Sequence, residues 1–308
     1  MKLLVSTKNN TILLENINTT IGCWSEYKMR YDGIKICNIN QNLEVMDKLD
    51  NILLVPFTHI TNVWHLMHHL YITYKYIKLN NINTKNIYPI FFDGFYERQG
   101  NIIETPYIDL IFNGMGFNLK CFKRLNIIFK MNKCVEVKNI KIVNKIPINF
   151  YNEPKIYDFK KYIFNNYNLN QEKSKINEKK ILFIERSGKR EITNMSYVKQ
   201  KLQGCNIEYI FLEKYNIKTQ IEKYKNADIV IGVHGAGLAW CVFMKKKSLL
   251  IELYPGNSNT DNYIRWCNIA GVEYKRLCVN ITNGNESNFR EATVNLNDEQ
   301  IKILKDNF

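Results

Sequence analysis

Arg186 and Arg190 stand four residues apart around a glycine, in Glu185-Arg186-Ser187-Gly188-Lys189-Arg190. Two guanidinium groups at that spacing can clamp a diphosphate through bidentate, charge-assisted hydrogen bonds. Further on, His234-Gly235-Ala236-Gly237 offers loop amides and the start of a helix to an anion. Glu252 is expected at the end of the following strand, where a carboxylate can accept hydrogen bonds from ribose or sugar hydroxyls, and Asn194 is grouped with it as a polar contact. The first half supplies two further candidate site residues: His65, in the first turn of a helix where a ligand can approach, and Asp93, at a strand tip before Gly94. His65 and His69 share a helix face, but the glutamate of an HExxH motif is missing and no Cys, Asp or Glu stands near to complete a ligand set. There is no P-loop lysine motif and no complete G-x-G-x-x-G. The constellation reads as a diphosphate pocket that needs no metal. Each part also has an ordinary reading: a solvated basic loop, a packed helix histidine, an Asp-Gly turn, a carboxylate paired with a lysine.

The elements that must position these groups are clearest between Ala227 and Pro255. Ile229–Ile231 is a continuous apolar run that fits a strand buried on both faces. The glycine loop follows, then Leu238–Met244 as a short apolar helix closed by Lys245, Lys246 and Lys247. A second buried strand, Ser248–Leu253, is expected to be stopped by Pro255. Around this βαβ unit, strands are expected at Ile181–Glu185, Ile207–Leu212 and Val272–Val279. Helices are expected at Met195–Leu202, Ile217–Lys225, Tyr263–Ala270 and Asp298–Phe308, which gives a parallel, doubly wound sheet.

The first half is less regular. Short apolar runs at Leu3–Val5, Ile12–Leu14, Ile34–Ile36 and Ile52–Val55 suggest strands, the last ended by Pro56. Thr61 or Asn62 can cap a helix from Val63 to Leu79, with Leu66, Leu70, Tyr74 and Ile77 on its buried face. Ile87–Phe92, Asn126–Lys130 and Val135–Val143 read as strands, and Thr105–Phe117 and Tyr157–Tyr167 as helices. The polar stretch Asn165–Lys180 is the expected linker. It separates a first domain, residues 1–168, from a second, 180–297, followed by a closing helix, 298–308.

Bulk composition sets the outer bounds. At 308 residues and 45% hydrophobic, the chain can bury a core in each of two domains. Its formal charge of +14 attracts anions. The lysines carrying that charge are dispersed, as on solvated faces, in a chain rich in the amino acids of AT-rich codons. Eight cysteines without a CxxC read as reduced thiols. The opening residues, MKLLVSTKNN, hold too short an apolar run for a signal peptide, and no stretch is long enough to span a membrane. A soluble, cytoplasmic protein is expected.

Taken together, these residues resemble glycosyltransferase family 61. The resemblance rests on Asn62-x-x-His65, Arg186-x-x-x-Arg190-x-x-x-Asn194, His234-Gly235-Ala236-Gly237-Leu238 and Ile251-Glu252-Leu253-x-Pro255, with a weaker match from Tyr263 through Gly271 to Tyr274. It implies an α/β chain of GT-B type, with two Rossmann-like domains facing a cleft. It also implies inverting, metal-independent transfer from a nucleotide-sugar, UDP-linked by expectation, to a glycan or glycoprotein, with no further cofactor. Two rivals stay open: another nucleotide-sugar enzyme of the same fold, such as an epimerase or hydrolase, and a basic nucleic-acid-binding protein. For the second, no recognisable nucleic-acid module is present and the basic residues form no aromatic-interleaved stripe, so DNA is not an expected partner.

Overall fold

The computed structural model describes residues 2–6, 11–14, 34–36, 45–57, 62–93, 106–118, 120, 134–143, 156–169, 179–256 and 262–308. It is an α/β chain that divides into two compact units. One comprises Met1–Ile148 and Tyr162–Asn168, the other Asn149–Lys161 and Leu169–Phe308. The expected strand Asn126–Lys130 and most of the expected linker lie outside the described residues.

The first unit holds a six-stranded sheet in the order β3-β2-β1-β6-β4-β5. Its strands are β1 (Lys2–Ser6), β2 (Thr11–Leu14), β3 (Ile34–Ile36), β4 (Val45–Phe57), β5 (Tyr88–Asp93) and β6 (Cys134–Ile142). Strand β4 runs parallel to β5 and β6, whereas β1 is antiparallel to both β2 and β6. At 13 residues, β4 is much longer than the apolar run Ile52–Val55 suggested. Before Ile52 it alternates, with Lys48 and Asp50 exposed around buried Leu49, so one face of that part meets water. Pro56 does not end it. Pairing with β6 has stopped at Leu54, so a residue without an N–H is tolerated on that side.

Helix α1 (Val63–Leu79) connects β4 to β5. The Asn62 side chain caps it by accepting from the Trp64 amide at 3.0 Å. Leu66, Leu70, Tyr74 and Ile77 are all buried, with Val63, Met67, Tyr71 and Thr73 widening the stripe. The expected helix Thr105–Phe117 contains a π-helical stretch, Leu110–Gly114. The end of α2 (Ile156–Asn166) and the residue after it tie down that region: Tyr162 Oη donates to Met115 O at 2.6 Å, Tyr167 Oη to Asp109 Oδ2 at 2.6 Å.

The second unit is more regular. Its strands are β7 (Ile181–Glu185), β8 (Ile207–Phe211), β9 (Ile229–Val233), β10 (Leu249–Pro255), β11 (Glu273–Asn283) and β12 (Thr293–Asn295). The order is β12-β11-β10-β9-β7-β8, parallel throughout except for the antiparallel edge strand β12. Helices α3 (Met195–Lys201), α4 (Ile217–Asn226) and α5 (Asn262–Ala270) connect strands, and α6 (Asp298–Lys305) closes the chain. Helix α6 starts on an Asn297–Gln300 capping box and puts Ile301 and Leu304 into the core built around Phe183, Ile231 and Leu253. Every residue of β9 is buried, as its unbroken apolar run requires for a strand covered on both faces. No helix among the described residues is long and apolar enough to cross a membrane.

Candidate active site

From β7 the chain moves outward to β8, then returns across β7 to lay β9 on its other side. Such a reversal opens a crevice beyond the carboxyl ends of the two central strands. Arg186 is the first residue past β7, and His234 is the first past β9. The topology therefore brings the arginine loop and the histidine-glycine loop to one edge of one sheet.

The two arginines converge on Gly235. A Cβ added there would lie 2.6 Å from Arg186 Nη1 and 3.4 Å from Arg190 Nη1. Gly235 has extended backbone, so the glycine serves close approach rather than a left-handed turn. Arg190 does adopt left-handed backbone, with φ 60°. Its N–H donates to Ala292 O at 2.7 Å and its Nη1 to His234 O at 3.0 Å, contacts that hold the residue in that conformation. Both guanidinium groups are half-buried, and among the described residues neither forms an ion pair with a carboxylate. Burial lowers the pKa of Arg186. Burial, with Arg186 and then Arg290 as neighbouring like charges, pushes Arg190 down to about 10. Arg190 Nε is buried without a hydrogen-bond partner among the described residues. An anion seated here would supply the missing acceptor and the missing countercharge.

The loop is fixed from beneath by tyrosines. Tyr263 Oη donates to Gly235 O at 2.6 Å and Tyr224 Oη to Gly237 O at 3.0 Å. Burial raises the pKa of both phenols far above its usual value, which keeps them as donors. The expected helix Leu238–Met244 is a 3-10 segment, Ala236–Phe243. Its first amides, at Ala236 and Gly237, have no carbonyl one turn earlier to bond.

Glu252 is not at a strand end. It lies inside β10, opposite Gly232 of β9 and Arg276 of β11, and the strand continues through Pro255. Pro255 is accommodated because β9 has ended opposite Leu253, leaving that side of the ladder open. The carboxylate is 1% exposed. One oxygen takes a hydrogen bond from His234 Nδ1 at 2.5 Å; the other accepts from Tyr274 Oη, with Arg276 Nε at 3.9 Å. Burial, and then the Glu252 carboxylate, raise the Tyr274 phenol above its ordinary range. With Nδ1 committed to Glu252, His234 keeps Nε2, which has no protein partner among the described residues. The imidazole is boxed edge-on by Tyr254, Tyr263 and Phe289 at ring-centre distances of 5.1, 5.5 and 5.2 Å.

Asn194 has both polar side-chain atoms engaged. Its Nδ2 donates to Leu296 O at 2.8 Å and its Oδ1 accepts from Leu296 N at 3.1 Å. It thus clamps the segment before α6 to the loop that carries the arginines. His65 and Asp93 belong to the first unit. His65 is half-buried on α1, its ring edge-on to Trp64 at 4.8 Å, and Asp93 is the last residue of β5, opposite Phe57. Among the described residues no group of three or more His, Cys, Asp or Glu is gathered as a metal centre would need.

Sequence reasoning missed Tyr224, Arg276, Phe289 and Arg290. Tyr224 reads as part of an amphipathic helix face, and the other three lie where no motif marks them. Only their three-dimensional neighbours reveal them.

Comparison with known proteins agrees with this arrangement. The chain matches the family Glycosyltransferase 61 over residues 45–251, which takes in His65, Asp93, both arginines, Asn194 and the His234–Gly237 loop and stops just before Glu252. Two curated rice proteins (Oryza sativa subsp. japonica) are similar over shorter stretches. Alpha-1,3-arabinosyltransferase XAT3 is 25% identical over 111 residues, 33% of this chain and 19% of that protein. Alpha-1,3-arabinosyltransferase XAT2 is 26% identical over 110 residues, with the same coverage. The matched stretch thus spans 19% of each relative's length. Among solved structures, the flavodiiron protein from Giardia intestinalis aligns with a TM-score of 0.26 and 10% identity, covering 64% of this chain and 48% of that one, a likeness too low to bear on the fold. The family match covers more than half of the chain and includes the arginine and histidine-glycine loops that the sheet brings together: the chain belongs to glycosyltransferase family 61.

Proposed function

We propose that the chain transfers a sugar from a nucleotide-diphosphate donor to a hydroxyl of a glycan or protein, with inversion at the anomeric carbon and without a metal. The observation that carries this reading is the pair of half-buried arginines on Gly235, which form no ion pair with a carboxylate among the described residues. Arg186, Arg190 and the amides of Ala236 and Gly237 hold the diphosphate. His234 Nε2, aimed by Glu252 and Tyr274, donates to a phosphate oxygen when the imidazole is protonated. Glu252 then acts as a positioning residue and Asn194 as a clamp, in place of the ribose contacts their types suggested. We read the two units as the two Rossmann-like domains of a GT-B-type fold. Support comes from a separate six-stranded sheet in each and from the doubly wound order of the second.

In the reaction the acceptor oxygen bonds to the anomeric carbon as the bond from that carbon to the phosphate oxygen breaks. The electron pair leaves on the nucleoside diphosphate, and the acceptor's proton passes to a base, His65 or Asp93. Guanidinium groups already in place stabilise the charge growing on the leaving group without reorganisation at the moment of reaction. The test is turnover of a panel of nucleotide-sugars, UDP-linked ones first, with candidate acceptors and EDTA present, followed by the anomeric configuration of the product. An inverted glycoside formed in EDTA supports the reading. Donor breakdown without acceptor product would instead make the chain a hydrolase, and turnover restored only by divalent metal would remove the metal-independent mechanism. His65→Ala and Asp93→Ala assign the base: the variant that loses turnover while keeping donor affinity identifies it.

A further inference from the structure

We infer that Arg290, carried with Phe289 on the loop between β11 and β12, is a third anion contact of the donor site and answers the charge that appears on the nucleotide as the sugar leaves. The inference rests on the donor site proposed above and adds to it a residue that lies beyond the family match.

The loop is built as a fixed wall. Gly284, with φ 96°, packs its Cα against Ala292, where an added Cβ would meet Ala292 Cα at 3.0 Å. From Ala292 onward the chain is stapled to the arginine loop. Besides the Arg190–Ala292 bond and the Asn194 clamp, Val294 N donates to Glu191 O at 2.9 Å and Thr193 N to Val294 O at 2.8 Å. Phe289 lies on the edge of His234 and 5.5 Å from the Tyr254 ring, which in turn lies under the Arg276 guanidinium at 4.9 Å. Anchored on one side by that aromatic packing and on the other by backbone bonds, exposed Arg290 is held near Arg190, close enough for its charge to be felt there.

The charges of this wall are distributed unevenly. Glu291, the carboxylate next in sequence, is taken by Lys189 at 2.7 Å. Arg290 has no carboxylate partner among the described residues, and its guanidinium lies over the ring of its neighbour Phe289, 6.0 Å from the ring centre. The Arg190–Ala292 backbone bond and the Phe289–His234 contact thus bring a third arginine to the edge of the sheet that carries Arg186 and Arg190, where Glu291, itself paired with Lys189, is the carboxylate felt at Arg190. Like charges brought close in this way disfavour one another and are offset by a polyanion. A sugar ester of a diphosphate carries less negative charge than the free nucleoside diphosphate, whose terminal phosphate ionises further near neutral pH. A third arginine therefore matches the leaving group better than the intact donor, the bias that accelerates a chemical step.

The test is direct binding of UDP, UMP and inorganic pyrophosphate to the full chain and to Arg290→Ala, Arg290→Lys, Arg190→Ala and Lys305→Ala. Pyrophosphate reports the anion site without a base. Loss of one charge-assisted contact weakens UDP and pyrophosphate about tenfold or more in Arg290→Ala, and UMP by less. The lysine variant is intermediate, and Lys305→Ala, an exposed charge on α6, stays at the wild-type value. Wild-type affinity for UDP and pyrophosphate in Arg290→Ala, with binding lost in Arg190→Ala, would overturn the role of Arg290 and leave the donor site standing. An equal loss in Lys305→Ala would reduce the effect to net charge and also overturn it. If the wild-type chain binds neither UDP nor pyrophosphate, the donor-site reading itself fails and this inference with it.

Discussion

Replacing Arg190 with alanine should nearly abolish donor binding while leaving the fold as stable as before. Arg190 is pushed well below its ordinary value, to about 10, by burial and by the like charges of Arg186 and Arg290. At about 1.4 kcal/mol per pKa unit this corresponds to about 3 kcal/mol of unfavourable environment, and solvent screening of the half-exposed group cuts it to about 1–2 kcal/mol. Against this relief, alanine forfeits the 3.0 Å hydrogen bond to His234 O. Such a bond from a charged donor contributes about 1.5–3 kcal/mol. The two terms nearly cancel, so the melting temperature should stay within a few degrees of wild type. Binding has no such cancellation. Losing a guanidinium that bonds phosphate costs about 3 kcal/mol, or roughly a hundredfold in Kd. Urea melts together with calorimetry of UDP binding measure both quantities on the same samples. Arg190→Lys, which keeps the charge on a single ammonium, should recover part of the affinity but not the fork geometry. A variant destabilised by several kcal/mol that still binds UDP like wild type would refute the reasoning and make Arg190 a structural residue.

Gly235→Ala places a methyl 2.6 Å from Arg186 Nη1, the mobile end of a long side chain. The fold should survive, but Arg186 must move, and Kd for UDP should rise about tenfold in calorimetry. Glu252→Gln removes the buried charge that aims His234, and steady-state kinetics should find kcat reduced about a hundredfold, with donor KM much less affected. Lys160 tests the pH dependence of stability. It is buried, donates to Met244 O at 2.5 Å, and is lowered from 10.5 to about 8 by burial. Below pH 8 the amine is charged in both states and folding bears the whole desolvation cost. Above it the native state releases the proton while the unfolded chain keeps it until about 10.5, so stability rises with pH across that window by up to about 3 kcal/mol. Lys160→Met should lack that part of the slope when unfolding free energies are compared from pH 7 to pH 10.

How much of this was legible in the sequence depends on the range over which each signal acts. Helix α1 starts where Asn62 can cap it and ends at Leu79, as local patterning indicated. The unbroken apolar run of β9 likewise announced a strand at the centre of a covered sheet. The beginning of β4 was hidden because Asp47, Lys48 and Asp50 interrupt its apolar residues, although alternation around Leu49 is itself a strand signal. Prolines 56 and 255 read as stops, yet each occupies a strand position where the neighbour on one side has already ended. Arg186, Arg190 and His234, singled out by residue type, come together in space because β7 and β9 are parallel neighbours in the sheet and deliver their following loops to the same edge. Types alone could not assign Glu252 or Asn194, since a carboxylate or an amide serves equally on a sugar hydroxyl and on an internal donor. Phe289 and Arg290 were illegible for a different reason. They reach the site only because β12 pairs antiparallel with β11 and the backbone beyond Ala292 is bonded to residues about a hundred positions earlier in the chain.

The measurement that tests the central claim most directly is the thermal melting of the wild-type chain with UDP and a panel of other nucleoside diphosphates and nucleotide-sugars, with and without EDTA. A ligand that binds only the native state must raise the melting temperature, by about 2.7 kcal/mol of stabilisation at a hundred times Kd. The account predicts a rise with at least one nucleoside diphosphate and its sugar ester, unchanged by EDTA and absent in Arg190→Ala. No rise with any member of the panel would contradict it, as would a rise that Arg190→Ala leaves intact.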